Sequence, residues 1–137
     1  MTTSARPTGH PGYTETLPCE AAGVAAARRF VRTAFSVWRL DYLADDGALI
    51  VSELMTNSVQ HTECRNVRVI VTLPAPDRVR VAVVDTSRVL PARRSASDMD
   101  TDGRGLAIVE ALADRSGVDL LRWGKRAWAE LCTDSGQ

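Results

Sequence analysis

Val67-Arg68-Val69-Ile70-Val71-Thr72-Leu73 and Val79-Arg80-Val81-Ala82-Val83-Val84-Asp85 decide the architecture of this chain. Valine recurs at every second position in both runs, the period of a strand with one buried face. Pro74-Ala75-Pro76-Asp77 between them is turn chemistry. The two runs are therefore predicted to fold back on each other as an antiparallel hairpin.

On the N-terminal side the period becomes that of a helix. Val24, Ala27, Val31, Phe35 and Trp38 recur along a segment starting at Glu20, with Arg28, Arg29, Arg32 and Arg39 between them. That is one buried stripe with a solvated, charged outer face. A second helix is predicted over residues 45–61, with Asp45 or Asp46 as its N-cap. Residues 13–17 read as a short edge strand closed by Pro18, and residues 1–12, mostly Thr, Ser, Pro and Gly, as a mobile tail. After the hairpin, residues 86–102 show neither period. Leu106, Ile108, Val109 and Leu112 return to a helix over residues 105–115. Residues 118–123 and 126–132 read as two strands joined tightly at Gly124. The predicted domain spans residues 13–133, with a short tail at 134–137. Its fold class is α+β, a two-layer sandwich of a mainly antiparallel sheet with helices on one face.

The chain has 137 residues, enough for one domain with one sizeable core. An apolar fraction of 45% with 25% charged residues is that of a folded globular protein. Seventeen basic residues balance 17 acidic ones, leaving no uncompensated basic surface for a nucleic-acid backbone. Direct nucleic-acid binding is not expected. Every basic residue is arginine except Lys125. Cys19, Cys64 and Cys132 are odd in number and widely spaced, which suggests neither a disulfide framework nor a structural zinc. With no signal-peptide core and no apolar run approaching ~20 residues, the expected location is cytoplasmic, without membrane contact.

Three places break these patterns. Glu53, Asn57 and His61 are spaced by four and form one line along the second helix, beside Leu49, Ile50 and Leu54. A carboxylate and an amide are costly to bury on so apolar a helix unless a ligand uses them; an ordinary polar edge is the plainer alternative. Asp85 ends an apolar strand and puts an acceptor at the rim of the sheet. There it would receive an amino group such as that of adenine, or simply start a turn. Gly103-Arg104-Gly105-Leu106 opens a helix, where glycine permits close backbone approach and free N–H groups attract phosphate oxygens. A plain loop-to-helix junction is the alternative there. The unpatterned residues 86–102 just before it have the length of a lid.

In this order and at these separations, the segments resemble the GHKL ATP-binding (Bergerat) fold shared by gyrase, histidine kinases, MutL and the heat-shock chaperone. More specifically, the chain is similar to the small single-domain branch related to bacterial anti-sigma-factor serine/threonine kinases of the actinobacterial type. Glu53-Leu54-Met55-Thr56-Asn57-Ser58-Val59-Gln60-His61 is similar to that family's N box, and Val84-Asp85 falls at its adenine-binding Asp. Gly103-Arg104-Gly105-Leu106-Ala107-Ile108-Val109 resembles its second glycine box. Gly124-Lys125-Arg126-Ala127-Trp128-Ala129-Glu130-Leu131 looks like its closing strand. The likeness covers residues 18–133.

The resemblance implies roles. Asn57 would hold the Mg²⁺ that bridges the phosphates of ATP. Glu53 would be the general base toward an attacking hydroxyl. Asp85 would read adenine, and the backbone at Gly103 and Gly105 would cradle phosphate, next to Leu106. His61 would support the pocket, and Arg104 would either neutralise phosphate charge or face solvent. Where many members have glycines after the adenine Asp, this chain has Thr86-Ser87, which stiffens the pocket floor.

The implied function is an ATP-binding regulatory protein, a serine/threonine kinase that phosphorylates a small antagonist protein and sequesters a sigma factor when the antagonist is absent. Glu53 favours this, because simple binding does not require a base. The alternative is a non-catalytic ATP-binding module acting by partner binding alone, which Thr86-Ser87 favours. A nucleotide-independent scaffold is a third reading. A complete sensor kinase is not expected, because no phosphoacceptor helix, membrane span or receiver domain fits the remaining residues. Relatives are often homodimers, and the strand edge at residues 13–17 is a candidate contact.

Overall fold

The valine alternation forms the hairpin it predicts, in the middle of the sheet. The computed structural model describes residues 2–3, 11–61, 65–86 and 101–133, apart from the side chains of 2–3, 61 and 101–106. In chain order the elements are β1 (Thr2–Thr3), β2 (Gly12–Pro18), α1 (Ala21–Val37), α2 (Ala44–His61), β3 (Asn66–Ala75), β4 (Arg78–Asp85), α3 (Thr101–Leu112), β5 (Arg115–Leu120) and β6 (Lys125–Cys132). The strands form one sheet in the order β1-β2-β3-β4-β6-β5, and each neighbouring pair is antiparallel. This is the expected α+β class.

The side-chain period of two divides the sheet into two different faces. Val67, Val69 and Val71 of β3 and Val79, Val81 and Val83 of β4 are buried on the face that α1 and α2 cover. They share one core with Val31, Phe35, Ile50, Val51 and Met55 of the helices. Each buried valine contributes about 1.5–3 kcal/mol relative to exposure. The intervening positions, Arg68, Arg78, Arg80, Arg126, Trp128 and Glu130, belong to the opposite face.

α1 buries Ala27, Phe30, Val31, Ala34 and Phe35, which recur at helical spacing. It ends at Arg39, whose φ of 60° is left-handed. The N–H of Leu40 then closes back onto the carbonyl of Phe35 at 2.8 Å, a Schellman-type stop without the usual glycine. A 3-10 turn over Asp41–Leu43 leads into α2. Asp45 and Asp46 lie inside the first turn of α2 rather than at its N-cap. Their charge still suits the positive end of the helix dipole, and Asp45 accepts from Arg32 of α1 at 2.8 Å.

Several expectations are corrected. The tail expected at residues 1–12 contains β1, which pairs with Tyr13 and Thr14. The outer edge of β2 offers unpaired backbone groups there, and Thr suits an extended partner. Residues 4–10 and 134–137 lie outside the described residues, as does most of the expected lid, 87–100. The hairpin turn is Pro76-Asp77, because β3 continues to Ala75 through a register shift after Thr72. α3 stops at Leu112, and β5 starts at Arg115, three residues before its predicted position. Its register is set by β6: Arg115 stands opposite Glu130 and Gly117 opposite Trp128. A Cβ on Gly117 would lie 2.9 Å from the indole of Trp128, so the glycine marks a close contact rather than a break in the strand.

Candidate functional site

Glu53 and Asn57 lie on α2, at the boundary between its exposed residues (Asp45, Leu49, Gln60) and its buried ones (Ile50, Leu54). The helix is thus not enclosed on most sides. Its apolar stripe meets the sheet and α1, and Gly47 lets the ring of Phe35 pack close against its backbone. Glu53 is half-buried, and burial pushes its carboxyl above the ordinary glutamate value of 4.5 by desolvation. It also borders a cleft of about 230 Å³ between α1 and α2, with Arg28, Arg32, Asp45 and Ser52 on its walls. That cleft belongs to the outer helical surface, and neither Asn57 nor Asp85 lines it. His61 ends α2 by its backbone, and its side chain lies outside the described residues.

Asp85 is the last residue of β4 and faces the helix layer, in phase with Val81 and Val83. Its carboxylate accepts from the hydroxyl of Ser58 on α2 at 2.7 Å, through Oδ2. It also accepts from Nζ of Lys125 on β6 at 3.0 Å, through Oδ1. Ser58, Asp85 and Lys125 are all buried. Ser58 directly follows Asn57, so α2 ties the sheet rim down with the residue next to a candidate site position. Gly124 seals this corner: a Cβ there would stand 2.0 Å from the backbone oxygen of Asp85. Only glycine permits that approach.

Sequence reasoning missed Ser58 and Lys125 as partners of Asp85. The status of Lys125 as the chain's only lysine was the available signal. Ser58 gave none beyond its place beside Asn57.

The glycine pair sits differently from its prediction. Gly103, Arg104, Gly105 and Leu106 are within the opening turns of α3, which begins at Thr101 rather than at Gly105. Two glycines weaken a helix by about 1 kcal/mol each; α3 nevertheless packs against α2 and buries Val109. The first four N–H groups of a helix have no intrahelical acceptor. That of Gly103 falls in that set, whereas Arg104 and Gly105 in regular geometry donate back within the helix. An anion at this end would meet the amides up to Gly103.

The chain matches a known family. A model of the histidine kinase-like ATPase domain matches residues 17–125, most of the chain, which therefore belongs to that family. Among solved structures, the chain is similar to the RsbU and RsbW domains of Rv1364c from Mycobacterium tuberculosis, with a TM-score of 0.67 and 21% identity over 88% of this chain. It spans 32% of that longer chain, and the likeness is one of fold. No curated protein matches. Among the described residues, no helix is long and apolar enough to cross a membrane.

Proposed function

We propose that this domain binds ATP with Mg²⁺ and transfers the γ-phosphoryl group to a serine or threonine of an antagonist protein, as a cytoplasmic anti-sigma-factor-like kinase. The observation that carries the reading is Glu53. A carboxyl held above its ordinary pKa by partial burial is a stronger base than a free glutamate, and it stands one helical turn from Asn57. In the transfer, the attacking hydroxyl oxygen bonds to the γ-phosphorus, its proton passes to Glu53, and ADP leaves. Asn57 fits a hard cation, since the residue is half-buried and its amide oxygen is a neutral ligand that does not repel phosphate. Mg²⁺, when bound, would neutralise phosphate charge. The free amides at the start of α3, that of Gly103 among them, would hold phosphate, and Asp85 would receive the adenine amino group. Sigma factor and antagonist are the proposed partners. The edge of β2 beyond Thr14 is the proposed homodimer contact, since β1 pairs only with Tyr13 and Thr14.

A second reading, ATP held without transfer, is favoured by the two donors already on Asp85 and by Thr86 where glycine is common in the family. Incubation with labelled ATP·Mg²⁺ and candidate antagonist proteins separates the two. The expected outcome is label on a partner's Ser or Thr, lost by about 10²-fold or more in Glu53→Ala with nucleotide binding retained. Asn57→Ala is expected to weaken both binding and transfer. Wild-type protein that binds ATP yet labels no partner would support the second reading. Wild-type protein that binds no ATP at millimolar concentration would overturn both.

A further inference from the structure

Charge is balanced over the whole chain, but the sheet face turned away from α1 and α2 is not neutral. Register partners share a face, so the pairings lay this face out in rows across the strands. Ile70, Ala82 and Trp128 form one row, which runs from Thr14 on β2 to Gly117 on β5. Two residues along the strands on one side, the row contains Arg68 and Arg126, with Asp119 at its end. Two residues along on the other side, it contains Arg80, Glu130 and Arg115, with Arg78 one pairing beyond. An apolar lane thus lies between two arginine banks, with Ile70 and Trp128 half-buried along it.

The banks carry more positive charge than their own carboxylates use. Arg68 is exposed and has no ion pair among the described residues. Arg126 is paired with Asp119 at 2.8 Å. Around Glu130 only Arg80 is hydrogen-bonded; Arg78 and Arg115 stand 3.6 and 3.7 Å from an Oε1 that has no hydrogen bond. Five arginines therefore face two carboxylates, an excess of three positive charges. The forks of Arg68, Arg78 and Arg115 keep their donors.

The dimensions select the occupant. The banks are four residues apart along the strands, about 13 Å, against a helix diameter of ~10–12 Å. The lane crosses five strands, about 19 Å, which a helix of about 13 residues spans. We infer that this face docks an acidic amphipathic helix of a partner protein. Its apolar stripe lies on Ile70, Ala82 and Trp128, and its carboxylates meet the arginines on either side. A second copy of this chain would bring the same positive excess against the face and be repelled. A phosphate backbone would meet Asp119 and Glu130 among the arginines, and Trp128 is the one aromatic of the lane on which a base could stack.

The test uses fluorescein-labelled synthetic peptides of about 14 residues, long enough to span the lane. One has leucines along a helical stripe and glutamates on both flanks. In a second the glutamates become lysines, and in a third the leucines become serines. Fluorescence anisotropy is expected to show the first binding at least about tenfold more tightly than either other peptide. Arg68→Ala and Arg78→Ala, one on each bank, are each expected to weaken it about two- to fivefold. Both side chains are exposed or partly so, and the variants keep the fold. Ile70→Ser is expected to weaken binding with the charge unchanged, and the indole N–H resonance of Trp128 to shift when the peptide binds. Equal binding of the glutamate and lysine peptides overturns the inference. So does binding that all three variants leave unchanged, or none at about millimolar peptide. A single-stranded oligonucleotide that binds more tightly and is released by Arg68→Ala would make this a nucleic-acid face instead. A dimer mass in analytical ultracentrifugation that Arg68→Ala or Ile70→Ser reduces to a monomer would make it a contact between copies. Either result overturns the inference, and none of these outcomes bears on the ATP site.

Discussion

Asp85 and Glu130 are both 2% exposed and both lie in the β4–β6 pair, yet they are compensated in different ways. Asp85, on the helix-facing side, has one buried ammonium whose side chain is 6% exposed and one buried hydroxyl. Glu130, on the opposite face, is held by Arg80 at 2.6 Å, with Arg78 and Arg115 at 3.6 and 3.7 Å. Those arginine side chains are 30%, 34% and 57% exposed, in the same order, and Arg80 also lies 4.8 Å over the ring of Trp128. Three hydrated cations share the charge of Glu130, so no single one is decisive. The charge of Asp85 is met by a desolvated ammonium. Two carboxylates buried to the same depth thus differ in the hydration of the cations that face them.

The largest expected effect tests this difference directly. Lys125→Met takes the buried ammonium away from a buried carboxylate and is expected to destabilise the fold by about 3–5 kcal/mol. Arg78→Ala removes one of three partly exposed arginines around Glu130 and is expected to cost at most about 1 kcal/mol. Urea denaturation of both variants measures the contrast, and equal losses would break it. Adding Asp85→Leu to Lys125→Met sharpens the test, because removing both charges is expected to restore most of the lost stability.

Each side of the β4–β6 pair also has a close glycine contact, and these give the next largest effect. Gly124→Ala would press a Cβ onto the backbone oxygen of Asp85, which cannot turn aside. A loss of about 1–3 kcal/mol is expected, together with weaker ATP binding as the rim shifts. Gly117→Ala meets the ring of Trp128 instead. A side chain can rotate, so the expected loss is below about 1 kcal/mol. Thermal unfolding ranks the two, and the reverse order would mean that the open face is the more rigid.

How much of this was legible follows from what is local. The β3–β4 hairpin and α2 were readable because one buried face imposes its period on neighbouring residues. Glu53 and Asn57 were readable for the same reason, being one turn apart. β5 was displaced by three residues because Leu120, Leu121 and Trp123 are apolar and attract a strand prediction. The true strand contains Ser116 and Gly117, whose place is set by the facing Trp128. Leu120 and Trp123 are in fact exposed. The contacts on Asp85 were hidden because they join residues 27 and 40 positions apart, and no local spacing encodes which side chains a sheet register brings together. α3 began earlier than predicted because its apolar residues Ile108, Val109 and Leu112 hold a helix that two glycines do not interrupt.

The smallest expected effect on stability concerns a third carboxylate, Glu53, for which desolvation is the resolved influence on the pKa. Desolvation raises its pKa in the folded state above that in the unfolded chain, so the folded state binds the proton more tightly. Below the unfolded value the group is neutral in both states and its favourable contribution is fully present. As pH rises through the folded value, a charge must be held in a partly dry place and that contribution is lost. Glu53→Gln removes this penalty while keeping the shape. The variant is expected to be slightly more stable at pH 7, by no more than about 0.5 kcal/mol. The gain should fade as pH falls toward 4.5. Denaturation curves at several pH values measure it, and phosphoryl transfer, which needs the base, should be lost in the same variant. A clear loss of stability at pH 7 would place Glu53 with Glu130, held by compensating partners. The physical ground for its role as a base would then be gone.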